Sequence, residues 1–277
     1  MQDLTPTLKR KPIRLGLHTN ISSRRGKVLS ELAQALTIIA EKNKFSRTIF
    51  FGISGYPGAG KTTLALEIAD ILTIAGFNII VVHQDDFRIA KAKRLDNNGN
   101  FLYGDMPFIH QWHNWKDLHN LIYSIRNAKC NSTFFARKYE SETQKRTGRI
   151  EYVVNLGKPT FAIIEGAFIF DLGSRNAYGV KPDAIDEVLD CRVFVFRESI
   201  DKFDDEHFKN VLISRKLQSK DGIQIKNAIR RQSEIYVKVI NESIHYAVNK
   251  WKAADFFFDN ADFSSPLLKN NERIVTL

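Results

Sequence analysis

The chain has 277 residues, a net charge of +10 and an apolar fraction of 43%, so it is long enough to bury a large core and has the composition of a globular protein. Its two cysteines, Cys130 and Cys191, lack the spacing of a disulfide framework or a cysteine zinc site, and they fit a reducing compartment. The first residues lack the apolar segment of a signal peptide, and no apolar run approaches the length of a membrane span. These features predict a soluble, cytoplasmic protein.

Most of the surplus positive charge lies at the beginning of the chain. Residues 1–47 carry ten Lys or Arg side chains against three acidic ones. Such a stretch is typical either of an arm that binds an acidic partner, such as nucleic acid or anionic lipid, or of a solvated, partly disordered lead-in. We favour the lead-in, because no aromatic side chain lies among these charges before Phe45 and aromatic stacking usually accompanies nucleic-acid binding. The predicted division is a basic arm over 1–25, a domain over 26–263 and a tail over 264–277.

The most informative stretch runs from 48 to 64. Apolar residues over 49–53 indicate a buried strand, and residues 55–62 match G-x-x-x-x-G-K-[ST] at every fixed position. Glycines let the backbone curl so that successive N–H groups point at phosphate oxygens, and the next helix presents its positive N-terminal end to the same anion. Lys61 can reach the β- and γ-phosphates of a nucleotide, and the Thr62 hydroxyl can hold Mg²⁺. The predicted phosphate-binding residues are Gly55, Tyr56, Pro57, Gly58, Ala59, Gly60, Lys61, Thr62 and Thr63.

Apolar runs typical of buried strands alternate with helical periodicity along the rest of the chain. Together with the phosphate-loop motif, this alternation predicts an α/β fold, with a P-loop NTPase-type parallel sheet flanked by helices. The predicted strands cover 49–53, 77–82, 160–166, 191–196 and 254–258. The predicted helices cover 27–44, 61–76, 115–128, 200–217 and 223–251. Residues 131–157 are predicted to form a small, polar, partly β excursion.

The basic stretch between the last two predicted helices, about 213–224, has two interpretations. It can be a lid that closes over the nucleotide phosphates, with Arg215 and Lys220 as donors. A solvated helix face is nearly as well supported.

Two of the predicted strands end in carboxylates. Asp85 and Asp86 follow the strand over 77–82, and Glu165 lies near the end of the strand over 160–166. Because ligands bind at the carboxyl ends of parallel strands, these acids should face the phosphate loop. We interpret Asp85 as a catalytic base and Mg²⁺ neighbour, ahead of a helix cap or turn residue. Glu165 is interpreted as an acid that binds Mg²⁺ or its water, ahead of an ordinary edge residue.

Taken in order from 49 to 262, these motifs resemble those of the P-loop kinases of the uridine kinase, phosphoribulokinase and nicotinamide riboside kinase group, with type I pantothenate kinase as a more distant relative. The phosphate loop, QDDF at 84–87 and IIEG at 163–166 carry the closest similarity. The pattern Tyr139-Glu140-x-x-Thr143-x-x-Arg146 is similar to the stretch beside the acceptor in that family, and 215–222 is similar to its lid.

The resemblance implies a role for each of these residues. The implied catalytic residues are Lys61, Asp85 and Glu165, with Asp85 as the base, and the implied metal ligands are Thr62, Asp85 and Glu165. The residues implied to contact the substrate are Asp86, Asp105, Tyr139 and Arg146. Arg215 and Lys220 would close over the phosphates.

The predicted function is that of an ATP- and Mg²⁺-dependent kinase acting on a hydroxyl of a small molecule. Nucleosides, nicotinamide riboside, pantothenate, sugar phosphates and glycerate-like acids all stay open as acceptors, and so does a homo-oligomer. A GTPase or motor ATPase is less well supported, because the chain has neither N-K-x-D nor L-S-G-G-Q. The remaining alternative is a nucleotide-binding protein without kinase turnover, acting as a switch or with its basic arm on nucleic acid.

Overall fold

The computed structural model describes residues 23–42, 47–55, 58–89, 113–129, 131–140, 143, 145–155, 157–171, 189–196 and 251–270. The first 22 residues, the predicted helix over 200–217, the predicted lid and all but the last residue of the predicted helix over 223–251 lie outside these ranges. None of the helices within them combines the length and the apolar character that a bilayer crossing requires.

The described strands are β1 (Ile49–Ser54), β2 (Asn78–His83), β3 (Ser132–Glu140), β4 (Lys145–Val154), β5 (Thr160–Glu165), β6 (Cys191–Phe196), β7 (Phe256–Asp259) and β8 (Leu267–Asn270). Six of them form one sheet in the order β2-β5-β1-β6-β7-β8. Neighbouring strands in it are parallel, except that β8 runs antiparallel to β7. All residues of β1 and β5 are buried, as expected for central strands of a sheet covered on both faces. The predicted α/β fold with a mostly parallel sheet is thereby confirmed.

The described helices are α1 (Arg24–Lys42), α2 (Lys61–Ile74) and α3 (Trp115–Arg126). Helix α1 begins three residues earlier than predicted, so Arg25 is a buried helix residue rather than the end of a basic arm. Helix α2 packs on β1, β2 and β5. It ends where the sequence predicts, because Gly76 adopts a φ of 93°. There the N–H groups of Gly76 and Phe77 donate to the carbonyls of Thr73 and Leu72, at 3.0 and 3.1 Å, which satisfies two of the last carbonyls of the helix.

Strands β3 and β4 form a separate antiparallel hairpin, which confirms the β structure predicted within 131–157. Its turn is closed by Glu140, whose Oε2 accepts hydrogen bonds from Thr143 Oγ1 at 3.2 Å and from Thr147 Oγ1 at 2.6 Å. Helix α3 and the turn that follows β2 both contact β3. The hairpin therefore stands beside the edge strand β2.

The sheet continues beyond the last predicted element. The sequence indicates no structure after 263, but β8 lies there and pairs with β7. Three of its four residues are exposed, so backbone hydrogen bonds rather than apolar burial hold it. A strand of this kind leaves no hydrophobic pattern to recognise.

Candidate active site

The phosphate loop begins where β1 ends and passes directly into α2. Gly55 has a φ of 149°, and a Cβ there would lie 2.5 Å from the carbonyl oxygen of Val195 in β6. Gly60, with a φ of 97°, comes immediately before Lys61 at the head of α2. Glycine at these two positions lets the loop turn close against the sheet, where a side chain would clash or strain the backbone. Tyr56 and Pro57 of the predicted loop lie outside the described residues.

Several predicted site residues come together at the head of α2. Thr62 Oγ1 donates to Glu165 Oε1 at 3.2 Å, and Glu165 is buried at the end of β5. Burial lowers the pKa of Lys61, and the negative charges of Glu165 and Asp85 raise it by less. The lysine, the threonine and both acids therefore lie at the same carboxyl edge of the sheet, as the sequence predicts.

His83, which the sequence pattern does not identify as a site residue, holds the carboxylate of Glu165. Its Nδ1 lies 2.7 Å from Glu165 Oε1, and both side chains are buried. The two residues are paired in register between the neighbouring parallel strands β2 and β5. The contact depends on these strands being neighbours in the sheet, and the apolar pattern alone does not specify strand order.

Asp85 lies in the short 3-10 turn Gln84–Phe87, directly after β2, with its side chain 67% exposed. Its Oδ1 is 2.9 Å from Arg88 Nη2 and 3.7 Å from His113 Nε2. Partial desolvation of the carboxyl raises its pKa, but the contact with His113 and the charges of Arg88 and Lys61 lower it by more, so the pKa of Asp85 lies well below its usual range. The group is therefore a carboxylate at physiological pH.

Arg88 and His113 had no predicted role, although both contact this acid. A backbone bridge joins these two residues, and the N–H of Asn114 donates to the carbonyl of Phe87 at 2.7 Å. The chain thus returns to the Asp85 turn just before α3 begins. Nothing in the local sequence indicates this return, because 26 residues lie between Phe87 and Asn114.

Among the described residues, the predicted substrate contacts Asp86, Tyr139 and Arg146 are not gathered in one place. Asp86 is buried next to Asp85 and lines the same cleft. Tyr139 is half-buried near the end of β3. Asp105, the remaining predicted substrate contact, lies outside the described residues, and so do Arg215 and Lys220 of the predicted lid.

Arg146, also predicted beside the acceptor, ties the hairpin to α3. Its Nη1 donates to Asp117 Oδ2 at 2.8 Å and its Nη2 to the carbonyl of Arg137 at 3.1 Å. Two of the three guanidinium nitrogens of Arg146 thus donate hydrogen bonds to protein acceptors. The hairpin residues that line the cleft are instead Ile150, Glu151, Tyr152 and Val153, all from β4.

Two openings that are lined by described residues adjoin the phosphate loop. A cleft of about 520 Å³ lies along α2, β2 and β4, and its polar end is formed by Thr62, Asp85, Asp86 and Glu165. A cavity of about 440 Å³ is lined by residues from 58–63 and from 260–263, after β7. Thr62 and Thr63 line both openings. Two molecules could therefore meet at the head of α2.

The oxygen atoms at the head of α2 suit a hard cation such as Mg²⁺. The Thr62 hydroxyl and the Glu165 carboxylate lie within hydrogen-bond distance, and Mg²⁺ commonly takes one or two side-chain oxygens and completes its shell with phosphate oxygens and water. Within the described ranges, no group of three or more His, Cys, Asp or Glu could hold a metal alone. Phosphates would thus supply further ligands. Asp85, the third predicted ligand, is in contact with Arg88.

Comparison of the sequence with protein-family models and with the curated proteins gives no match. Solved structures do match: a candidate fructose transport system kinase from Silicibacter sp. TM1040 is 15% identical, with a TM-score of 0.53 over 78% of this chain and 94% of that chain. The YGR205w protein is 13% identical, with a TM-score of 0.53 over 90% and 99%. YFH7 from Saccharomyces cerevisiae, described as a candidate P-loop kinase with a circular permutation, is 10% identical, with a TM-score of 0.51 over 79% and 95%. The chain therefore has the fold of P-loop kinases, as the resemblance of its motifs implies.

Proposed function

We propose that the protein is an ATP-dependent kinase that transfers the γ-phosphoryl group to a hydroxyl of a small molecule. The observation that carries this proposal is the meeting of a phosphate loop with two strand-end carboxylates. Thr62 is hydrogen-bonded to Glu165, and Asp85 lines the same cleft. Phosphoryl transfer needs little covalent chemistry from the protein, but it needs the phosphates and the attacking hydroxyl held in line beside such groups.

Each residue then has a defined task. Lys61 places its charge on the β- and γ-phosphates, and the loop N–H groups hold the remaining phosphate oxygens. Thr62 and Glu165 would hold the Mg²⁺ that accompanies ATP, and this ion neutralises phosphate charge. Asp85 orients the acceptor hydroxyl. The hydroxyl oxygen bonds to the γ-phosphorus, the bond to the bridging oxygen of ADP breaks, and the hydroxyl proton passes to the carboxylate.

The low pKa of Asp85 limits how it can act. A carboxylate held in its charged form by Arg88 and His113 is a weak base, so it contributes mainly by orienting the hydroxyl. It receives the proton once the bond to phosphorus has begun to form, when that proton has become acidic. This order suits the loose transition state of phosphoryl transfer.

The acceptor occupies the larger opening in this proposal. A volume of about 520 Å³ fits a small metabolite. Asp85 and Asp86 stand at one end of the cleft, and Ile79, Ile150 and Tyr152 contribute to its walls. A molecule with a hydroxyl at one end and an apolar or ring portion at the other would match this lining.

The test is release of ADP from ATP and Mg²⁺, measured with and without a panel of small hydroxylated acceptors. We expect release to depend on one class of acceptor. Lys61→Ala and Asp85→Ala should each abolish turnover, and Asp85→Ala should leave ATP binding largely intact. Lys158→Ala, an exposed lysine just before β5 at the opposite edge of the sheet, serves as the matched control and should turn over normally.

Three results would contradict the proposal. Steady ADP release without an acceptor would favour a switch or motor. Binding of ATP without turnover on any acceptor would favour a binding protein that has lost catalysis. Normal turnover by Asp85→Ala would remove the assignment of this residue as the base.

A further inference from the structure

Arg25 belongs to α1, in the part of the chain that precedes the phosphate loop and the motifs that resemble the kinases. On the basis of the proposed function, we infer that Arg25 is a positioning residue for the phosphate loop. Helix α1 then contributes to nucleotide binding, because it carries the residue that positions the phosphate loop.

One edge of the Arg25 guanidinium is bound to α2. Its Nε donates to Glu67 Oε1 at 2.8 Å and its Nη2 to Glu67 Oε2 at 2.5 Å. Both side chains are almost completely buried, at 8% and 5% exposed. A two-point contact of this kind fixes the plane of the guanidinium as well as its position. Because α2 begins at Lys61, this pair fixes Arg25 relative to the helix that carries the phosphate-binding lysine.

The remaining nitrogen of Arg25 reaches the segment after β7. Nη1 donates to Asn260 Oδ1 at 2.9 Å and to the carbonyl of Phe263 at 3.0 Å. The guanidinium carbon also lies 3.9 Å from the centre of the Phe263 ring, within the range of a cation–π contact. Arg25 therefore joins α1, α2 and the 260–263 segment at one point.

Asn260 connects Arg25 to the phosphate loop through two hydrogen bonds of its carboxamide. Since its Oδ1 accepts from Arg25, its Nδ2 is directed the other way, and it donates to the carbonyl of Ala59 at 3.0 Å. The backbone N–H of Asn260 donates to the carbonyl of Phe196 at 2.7 Å, so the residue is also fixed to β6. The contact at the loop is close, because a Cβ on Gly60 would lie 2.6 Å from Asn260 Nδ2.

The contacts of Arg25 and Asn260 restrict the motion of the peptide groups that bind phosphate in the proposed function. Ala59 lies in the middle of the loop, and Asn260 and Phe263 line the 440 Å³ cavity together with Gly58 and Gly60. Donors that are already in place bind an anion without the cost of ordering them first. Loss of the Arg25 contacts would leave the carboxamide of Asn260 free to rotate, and the loop would lose its support from β6.

The experiment compares Arg25→Lys, Asn260→Ala and the double variant in the full chain. Lysine keeps a positive charge opposite Glu67 and so favours folding, but it cannot hold Glu67 and Asn260 together. The matched control is Arg47→Lys, which alters another two-point ion pair, with Asp190 at 2.8 and 2.5 Å. ATP affinity is measured by calorimetry, KM for ATP and for the acceptor by ADP release, and stability by thermal unfolding.

We expect Arg25→Lys and Asn260→Ala each to weaken ATP binding about tenfold, and the double variant to bind no more weakly than the weaker single variant, because both act through one path. KM for ATP should rise with the dissociation constant, whereas KM for the acceptor should stay unchanged. Arg47→Lys should bind ATP as the unaltered protein does, even where it lowers the melting temperature as much as Arg25→Lys.

Two results would overturn this role of Arg25. One is equal ATP affinity of Arg25→Lys and Arg47→Lys at a temperature where both are folded. The other is a double variant whose loss is the product of the two single losses. If the unaltered protein binds no ATP, the proposed function fails. The positioning role of Arg25 is then tested by amide hydrogen exchange. Arg25→Lys should speed exchange of the loop amides over 58–63, and unchanged exchange would count against it.

Discussion

The imidazole of His83 lies 2.7 Å from the carboxylate of Glu165, so the last residue of β2 fixes the acid that ends β5. The same oxygen, Oε1, accepts a hydrogen bond from Thr62 at the head of α2. Two strands and one helix therefore determine where this buried carboxylate stands. In the proposed kinase this is also the group that would hold Mg²⁺, so its orientation should matter as much as its charge.

Replacing Glu165 with Gln should lower kcat at least about a hundredfold, because the amide keeps the shape but lacks the charge that the cation needs. His83→Ala should lower kcat/KM about ten- to a hundredfold, since the carboxylate loses the partner that orients it. The measurement is ADP release over a range of Mg²⁺ concentrations. Both variants should need more Mg²⁺ for half-maximal rate, and an unchanged Mg²⁺ requirement in His83→Ala would show that the imidazole does not position this acid.

The pH dependence of kcat/KM should report the contact between Arg88 and Asp85. Because the pKa of Asp85 is lowered, its carboxylate stays charged as the pH falls. Activity that depends on this charge should therefore persist down to the usual carboxyl pKa of about 4 and be lost only below it. Arg88→Met removes a positive charge that lies 2.9 Å away, so the pKa should rise and the acid limb should move to higher pH. Arg126→Met, on the exposed end of α3, should leave the profile unchanged.

Two glycines with positive φ offer a matched pair of substitutions. Gly60 and Gly76 have φ values of 97° and 93°, but a Cβ at Gly60 would lie 2.6 Å from Asn260 Nδ2, whereas a Cβ at Gly76 would meet nothing within 4 Å. Gly76→Ala should cost about 1 kcal/mol of stability from backbone strain and leave ATP affinity unchanged. Gly60→Ala should also weaken ATP binding at least about tenfold, because the loop must move. Calorimetry and thermal unfolding separate the two effects, and equal ATP affinities would contradict the expectation.

Cys191 should be inert to thiol reagents in the folded protein. Burial raises the pKa of its thiol well above the usual value, and the carboxylates of Asp255 and Asp190 raise it further, so little thiolate is present at neutral pH. Labelling of a Cys130→Ser variant should therefore need unfolding, and its rate should rise with denaturant. Labelling at the rate of a small free thiol without denaturant would show that the start of β6 is accessible.

Local pattern was sufficient to predict the centre of the sheet and the phosphate loop. Strands β1, β5 and β6 are mostly apolar, and a motif of eight residues specifies the turn into α2. Glu165 could be placed because a carboxylate that follows a buried strand must lie at the edge where the loop lies.

Contacts between distant residues could not be predicted in this way. Arg25 appears in the sequence as one of several charges in a basic stretch, and nothing there indicates a partner 42 residues later in α2. The contact of His83 with Glu165 depends on strand order. Arg146 fits a pattern that lies beside the acceptor in the kinases that the motifs resemble. Its binding to Asp117, however, follows from how the hairpin packs on α3.

The contact between Arg25 and Asn260 joins residues 235 positions apart, and this separation has a consequence during synthesis on the ribosome. A nascent chain that ends before Asn260 already contains the whole G-x-x-x-x-G-K-[ST] motif and all of α2. It still lacks Asn260, whose carboxamide donates to the carbonyl of Ala59. Competence to bind nucleotide should therefore arrive only after β7 and Asn260 have left the ribosome, because this long-range contact cannot form earlier.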